Sequence, residues 1–280
     1  MIKKNIKEAR RPPAGGRATE AGMNFQAEVG TWFAAHLLAR LPVGRRFGMA
    51  NVALPFSIQL ETGEGLDDAL LIQDDGSRID IQAKTHANLS ASSNGALGKT
   101  IAQLVRIVAD AKISRTAIDT SKTRAVLAVT AAAPRTLDNL ERGCRAFDLG
   151  GVWVTTKAQR SQAEQAALDI FEANARSAWV AHTTISLDED DLVTMARLFH
   201  IVRFSMEEGD DNWREAARVL GSQLYGGAAA GEAPLRDLKA IIRGLIGSGA
   251  PADRAGLIRE LRTRGHNDVD LPRDFSSIWN

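Results

Sequence analysis

Cysteine, tyrosine and long apolar runs are scarce in this chain, and each scarcity excludes a class of protein. The 280 residues include one cysteine and one tyrosine. A single cysteine rules out an internal disulfide framework and is typical of a reducing compartment. Because Cys144 lies in an arginine-rich stretch without an obvious base beside it, we expect a buried, inert thiol. No apolar run is long enough to cross a bilayer, and no apolar segment of a signal peptide follows the basic N-terminus. We therefore expect a cytoplasmic protein with no membrane partner.

An excess of charge of one sign is also missing. Lys and Arg total 35 against 34 Asp and Glu, which leaves a net charge of +1. The overall charge therefore does not predict a nucleic-acid partner, and any such contact has to come from a local patch. The Walker motif of P-loop NTPases is absent. The histidines are scattered without the spacing of zinc ligands.

Three segments are predicted along the chain. Residues 1–21 are basic and rich in Gly, Pro and Arg, which favours a flexible arm, either a disordered tail or a contact for phosphates. Residues 22–160 alternate helical and strand patterns, which predicts an α/β core with a mixed central sheet flanked by helices. Residues 161–280 have an almost wholly helical pattern and predict a helical C-terminal extension. In that extension a Gly-rich break at 226–234 precedes a small helical pair at 235–265.

Apolar periodicity predicts the order helix, three strands, helix, strand, helix for the α/β core. The helices are expected at 23–40, 97–111 and 134–147. The strands are expected at 52–61, 68–73, 78–84 and 124–130, with a last strand at 152–155. Residues 74–77, Asp-Asp-Gly-Ser, form a strong hairpin turn between the second and third strands.

This hairpin brings chemically useful groups together. Side chains on a strand alternate between faces, so Asp80, Gln82 and Lys84 share one face of the third strand. The tight turn folds Asp67 and Asp68 back beside the end of that strand. A carboxylate, an amide oxygen and an ammonium group are therefore expected on adjacent strands.

Hydrolysis of a phosphodiester needs these groups. A hard divalent cation takes oxygen ligands and lowers the pKa of a bound water, and a nearby lysine stabilises developing negative charge. We predict Mg²⁺, for which Mn²⁺ can substitute, with Asp68 as the principal ligand and Gln82 as a ligand through its side-chain oxygen. The backbone carbonyl of Ala83 completes the shell, and Lys84 is the catalytic ammonium. Asp67 is the reserve for the role of Asp68.

The run from Asp68 through a short strand and a turn to Gln82-Ala83-Lys84 resembles the PD-(D/E)xK nuclease motif in its QxK variant. The segments FQAEVG, LDDALLI and IDIQAKTH are more similar still to the N-terminal double-stranded-DNA endonuclease domains of bacterial anti-phage effectors. Those domains are fused to cyclic-oligonucleotide sensors or to STAND-type NTPases. The likeness covers roughly residues 23–134. It implies a restriction-endonuclease-like core, cleavage of double-stranded DNA in defence against phage, and a catalytic role for Glu28 on the first helix.

Two features depart from the motif. Gln82 stands where an acid is usual, so Asp80 or Glu61 would have to supply charge at the metal. No proline precedes the first acid, so Asp67 and Asp68 compete for the same role.

Some side chains have two interpretations. Glu28 either belongs to the site or pairs with a surface base such as Arg45 or Arg46. The cations on the second helix either face DNA phosphates or are simply solvated; they are Lys99, Arg106 and Lys112.

The predicted function is that of a metal-dependent DNA endonuclease. A cell does not tolerate such an enzyme in a constitutively active form, and the chain has no sensor motif. We therefore expect activation by assembly, as a homo-oligomer or with a fused or associated sensor module. Aromatic residues of the helical extension are expected either to be available for that packing or to complete a monomeric core; they are Phe171, Trp179, Phe199 and Trp213. The alternatives are a Mrr-like restriction or recombination nuclease and a non-catalytic DNA-binding or oligomerisation module that retains the fold.

Overall fold

A mixed sheet of six strands lies at the centre of the computed structural model, which describes residues 14–50, 52–62, 65–222 and 227–270. The strands are β1 (Pro55–Leu60), β2 (Ala69–Gln73), β3 (Arg78–Lys84), β4 (Thr123–Thr130), β5 (Phe199–Phe204) and β6 (Pro251–Asp253). The helices of the described residues are α1 (Ala14–Ala39), α2 (Ala96–Ser114), α3 (Thr136–Arg145), α4 (Trp153–Ala158), α5 (Gln162–His182), α6 (Glu189–Leu198), α7 (Asp211–Gly221), α8 (Glu232–Leu245) and α9 (Arg254–Thr263).

The strands lie in the order β5-β4-β3-β2-β1-β6. β1, β2 and β3 form an antiparallel meander, and β6 adds to the outer edge of β1. β4 and β5 run parallel to β3, and α2 makes the crossover from β3 to β4. The predicted α/β class with a mixed sheet between helices is therefore confirmed.

Each face of the sheet is covered by its own apolar core. Helices α1, α7, α8 and α9 pack on one face, and helices α2 to α6 pack on the other. β4 contributes to both cores because its apolar residues alternate between them, as expected of a strand buried on both sides. β3 differs: Ile79, Ile81 and Ala83 join the α1 core, so the alternating polar residues of β3 point towards the α2 face.

The hairpin turn forms as the sequence predicts. Gly76 adopts a positive φ of 78°, a conformation that glycine reaches without steric cost. Asp75 accepts hydrogen bonds from the backbone N–H and the hydroxyl of Ser77 through Oδ1, at 2.9 and 2.5 Å. This Asx-type bonding holds the turn and sets the register in which Ala69 lies opposite Ile81.

The predicted strand at 152–155 is wrong, because these residues begin helix α4. Gly150 and Gly151 adopt φ values of 90° and 126° and turn the chain before it. The Trp153 ring then stacks on Phe147 with centroids 4.9 Å apart, and its Nε1 donates to Glu172 at 2.8 Å. Burial of this tryptophan favours one helical turn over the strand that the apolar run suggests.

The region after residue 161 is not wholly helical. β5 follows α6 without an intervening turn residue, and β6 lies between α8 and α9. Parallel pairing with β4 buries Phe199 and Phe204, a gain that local periodicity does not reveal. The predicted boundary at residue 160 falls between α4 and α5, whereas strands of the same sheet lie on both sides of it.

Helical structure occupies the described part of the predicted arm and part of the predicted break. Residues 14–21 belong to α1, because helix formers such as Ala and Glu extend the helix towards the N-terminus; residues 1–13 lie outside the described residues. A 3₁₀ turn at Ala228–Gly231 follows residues 223–226, which also lie outside. Pro234 fits the first turn of α8, where its missing N–H breaks no helical hydrogen bond.

Aromatic residues expected to be available for assembly are buried instead. Phe171, Trp179 and Phe199 lie in the α2 core and Trp213 lies in the α1 core. Cys144 is fully buried, and burial raises the pKa of its thiol, as expected of an inert cysteine. No helix in the described part of the chain combines the length and apolar character needed to cross a membrane.

Candidate active site

Asp68 lies just before β2, and its backbone is held from two sides. Gln26 of α1 donates to the Asp68 carbonyl at 2.7 Å, and the backbone N–H of Glu61 donates to the same oxygen at 3.1 Å. These two hydrogen bonds tie the Asp68 backbone to α1 and to the residue that follows β1.

The Asp68 carboxylate accepts three hydrogen bonds on one oxygen. Oδ2 accepts hydrogen bonds from Nε2 of Gln82, from the backbone N–H of Ala83 at 2.7 Å and from Nζ of Lys84 at 3.3 Å. The structure thus brings together the acid, the amide and the ammonium, as the hairpin geometry predicts. Their roles in catalysis stay predictions.

The end of β2 explains why Ala83 reaches a carboxylate. The last β2–β3 pair is Ala69 with Ile81, so β3 extends past its neighbour and its backbone groups on that side are released from the ladder. The N–H and C=O of one strand residue point to the same side, so the Ala83 carbonyl also points towards Asp68. The result is a notch at the end of the hairpin.

Solvent reaches this notch unevenly. The side chains of Lys84 and Asp68 are 32% and 19% exposed, whereas Gln82 is only 2% exposed. The amide therefore forms the floor of the notch, and the charged groups form its rim. A phosphate approaching from solvent meets the ammonium and the carboxylate first.

Asp80, expected to compensate for the missing acid, is committed elsewhere. Its carboxylate is buried and bound by both Nε, at 2.8 Å, and Nη2 of Arg78. Burial raises the pKa of the Asp80 carboxyl, and Arg78 acts in the opposite direction. Gly65 covers the pair so closely that an added Cβ would lie 2.5 Å from Asp80 Oδ1. Asp80 is therefore closed off by Arg78 and the 65 loop, although it shares the face of Gln82.

Glu28 is not brought to the notch. Its helix α1 covers the opposite face of the sheet, and Glu28 Oε1 accepts from Lys239 of α8 at 2.8 Å. Glu28 therefore pairs with a base, as the second interpretation predicts, but the base is Lys239 and not Arg45 or Arg46; Arg46 binds Glu215 at 3.1 Å. The reason is rotational: Glu28 lies two residues after Gln26, about 200° around the helix, so only Gln26 faces Asp68.

The two remaining acids have different positions. Asp67 is adjacent to Asp68, and its Oδ1 accepts from Nε2 of Gln103 on α2 at 2.7 Å. Glu61 adopts a φ of 51°, and its carboxylate is directed towards Gly247, where an added Cβ would lie 3.6 Å from Oε2. Asp67 thus lies beside the notch, whereas Glu61 is directed towards the loop after α8.

Sequence analysis missed Gln26 and Gln103. Gln103 lies four residues after Lys99 and three before Arg106, so helical spacing places it on the face of those cations. Gln26 belongs to the FQAEVG segment, whose acid, Glu28, is the more obvious candidate for an active site. Neutral amides carry no charge pattern, and only the fold shows that both reach the two aspartates.

The donor set of the notch suits a hard divalent cation. Mg²⁺ binds through one or two carboxylates plus waters and substrate oxygens. Asp68, the Ala83 carbonyl and Asp67 supply oxygens, and half a turn of the Gln82 carboxamide places Oε1 where Nε2 now lies. Among the described residues, no group of three or more His, Cys, Asp and Glu side chains is placed to hold a metal. A cation in the notch would therefore have at most the two carboxylates of Asp67 and Asp68 as charged protein ligands.

Comparisons with known proteins give two similar solved structures. One is a Cap4 SAVED/CARF-domain containing receptor of Moraxella osloensis, at 12% identity and a TM-score of 0.47. The other is the corresponding Acinetobacter baumannii receptor with the cyclic trinucleotide 2'3'3'-cAAA, at 11% identity and a TM-score of 0.49. Each covers 89% of this chain, which spans 48% and 46% of theirs. No protein-family model and no curated protein matches. Both TM-scores lie below 0.5, so the function has to be inferred from the residues of this chain.

Proposed function

We propose that this chain is a metal-dependent DNA endonuclease with a restriction-endonuclease-like core, and that Asp68, Gln82 and Lys84 form its catalytic centre. The observation that supports it is the convergence of the Gln82 amide, the Ala83 N–H and the Lys84 ammonium on one carboxylate oxygen at the end of a hairpin. An ordinary surface ion pair does not need a buried amide below it.

Each residue has a role that its position allows. Bound Mg²⁺ would supply Lewis acidity and a water of lowered pKa. Asp68 and the oxygen of Gln82 would hold that ion, together with the Ala83 carbonyl. Lys84, half-exposed at the rim, stabilises negative charge that develops on the phosphate oxygens.

A non-catalytic module that retains the fold is the second candidate. The observation in its favour is that the described residues offer no cluster of three metal-binding side chains. In that case the notch would be an internal ion pair that closes the end of the hairpin. Binding of a divalent ion separates the two candidates.

Two substitutions test the centre. Asp68→Asn removes the charge with little change of shape, and Lys84→Ala removes the ammonium from a position outside the apolar core. We expect either change to lower the rate of plasmid cleavage in Mg²⁺ by at least about 100-fold. Calorimetry with Mn²⁺ should show weaker binding by Asp68→Asn and no loss of binding by Lys84→Ala, which removes a competing cation from the Asp68 oxygen.

The matched controls are Asp169→Asn and Lys122→Ala, which change exposed residues away from the notch. Both should cleave at the wild-type rate. Equal cleavage by Lys84→Ala would remove that residue from the mechanism. Unchanged Mn²⁺ binding by Asp68→Asn would transfer the ligand role to Asp67 or dismiss the site.

The proposal extends to biological role and substrate choice. We place the chain in anti-phage defence on the resemblance of its FQAEVG, LDDALLI and IDIQAKTH segments, with double-stranded DNA as substrate and activation by assembly. A Mrr-like restriction or recombination nuclease has the same chemistry but selects its substrate differently. Cleavage restricted to modified bases or branched DNA would identify that alternative.

A further inference from the structure

A polar stripe runs along α2 beside the proposed centre. Lys99, Gln103 and Arg106 lie at spacings of four and three residues, and so share one helix face. A cavity of about 450 Å³ between α2 and α5 is lined by all three residues and by His182. A second cavity of about 570 Å³, bounded by α2, β3 and the loop before β4, is lined by Arg106 and Arg78 and also by the acids Asp110 and Asp119. Arg106 lines both cavities, which together are here called the α2 groove.

The cations of the α2 groove differ from their neighbour Lys112. Lys112 is neutralised by Asp188 and Asp191 at 2.7 and 2.6 Å. Its charge is therefore not available to a DNA phosphate. Lys99 and Arg106 are exposed and form no ion pair within residues 14–50, 52–62, 65–222 and 227–270. Two uncompensated cations on one face favour an anionic partner.

Gln103 connects the groove to the centre. Its Nε2 donates to Asp67 at 2.7 Å, and Asp67 precedes Asp68 in the chain. Its Oε1 is buried without a hydrogen-bond partner in the described structure. A buried acceptor left unsatisfied costs free energy, so it marks a place where a donor or a bound water is expected. Gln103, which lines the α2 groove, therefore links it to Asp67, the residue before Asp68.

We propose that the α2 groove holds the phosphate backbone of duplex DNA and leads it to Asp68, an inference that rests on the proposed nuclease function. Lys99 and Arg106 lie seven residues apart, about 10 Å along the helix axis, which is about three base-pair steps of a duplex strand. They contact phosphates and carry no sequence information. A single strand fits less well, because proteins bind it by stacking bases on aromatic rings, and His182 is the one ring-bearing residue among those lining the two cavities of the described chain.

The test is binding in EDTA, where no cleavage occurs. Fluorescence anisotropy of a labelled duplex is measured against salt for the wild type and for the double variant Lys99→Ala/Arg106→Ala. We expect weaker binding by the variant and a slope of log K against log salt that is smaller by about 2. The matched control is Arg45→Ala/Arg218→Ala, which removes two exposed cations that also form no ion pair within the described residues, and it should leave the slope unchanged.

Each outcome separates this groove from the nuclease proposal. If the wild type cleaves DNA and the Lys99/Arg106 variant binds with an unchanged slope, the groove is wrong and the nuclease stands. If neither the wild type nor the variants cleave DNA, but the Lys99/Arg106 variant has the expected smaller slope of log K against log salt, the groove stands and the catalytic proposal fails. Absence of duplex binding by the wild type, or tighter binding of a single strand, overturns the groove.

Discussion

At the scale of single residues, the notch depends on an amide where related motifs have an acid. Gln82 donates a hydrogen bond to the Asp68 carboxylate, which a second carboxylate in its place would repel. The same amide offers an oxygen when it turns. Gln82 can therefore stabilise the hairpin without a metal and still serve as a neutral ligand, at the cost of weaker metal binding.

Gln82→Glu tests this compromise. In EDTA the new carboxylate loses the donor to Asp68 and repels it, so the unfolding free energy should fall by about 1–3 kcal/mol. With Mn²⁺ the added charge should bind the ion more tightly. Thermal unfolding should therefore show a lower Tm in EDTA and a larger rise in Tm on addition of Mn²⁺ than in the wild type.

Gln59→Glu is the control for that substitution. Gln59 is half-buried on β1 and donates to the Gly249 carbonyl at 2.8 Å, so the same change breaks a comparable hydrogen bond away from the aspartates. Its Tm should fall in EDTA with no added response to Mn²⁺. Identical Mn²⁺ responses in the two variants would refute the ligand role of Gln82.

At the scale of elements, the start of α2 is fixed by close backbone contact. The loop at Ser92 and Ser93 packs directly on Gly98, where an added Cβ would lie 2.4 Å from the Ser92 carbonyl oxygen and 2.8 Å from Ser93 Cα. Backbone atoms cannot swing away as a flexible side chain can. This contact positions the N-terminal end of α2, and with it the stripe that carries Gln103 to Asp67.

Two helix glycines should therefore respond in opposite directions to alanine. Gly98→Ala should destabilise the protein by about 1–3 kcal/mol, because the methyl group forces the loop away. Gly22→Ala in α1 meets nothing within 4 Å and should stabilise by up to about 1 kcal/mol, because alanine is the better helix former. Urea unfolding of both variants gives the two differences. An equal gain in both would show that the 92–93 loop yields freely.

At the scale of the whole molecule, one sheet separates two apolar cores and leaves its polar notch on the α2 face. The aromatic residues first expected to mediate assembly complete these cores, so an interface between copies has to use other side chains. Exposed apolar residues of the described surface include Leu149, Val152 and Val154, all near the start of α4. The burial of those aromatics weakens one reason for assembly but does not bear on the need to restrain a nuclease.

Activation by assembly predicts a cleavage rate that rises more steeply than in proportion to protein concentration. Paired centres would cut both strands, and joint engagement of DNA raises the effective concentration of the second copy. Cleavage rate should be measured against concentration, with mass followed by light scattering. A monomer whose rate is strictly proportional to its concentration, and which cuts both strands efficiently, would contradict the prediction.

The elements that sequence patterns predict well are those decided by neighbouring residues. The meander, the turn at Asp75 and Gly76, and the buried strand β4 follow from alternation and turn chemistry within a few residues. The approach of Asp68 to Gln82 belongs to the same class, because the two are 14 residues apart and joined by one tight turn. Hydrophobic alternation then decides which face of β3 is polar.

Sequence patterns do not predict contacts between residues that lie far apart in the chain. Glu28 meets Lys239 across 211 residues, and Asp67 meets Gln103 across 36. β5 is a strand because it pairs with β4. Trp153 starts a helix because its ring stacks on Phe147 and its Nε1 donates to Glu172. Packing in three dimensions outweighs propensities of a few tenths of a kcal/mol per residue. The local residues therefore encode the notch, whereas long-range packing selects which acids remain beside it.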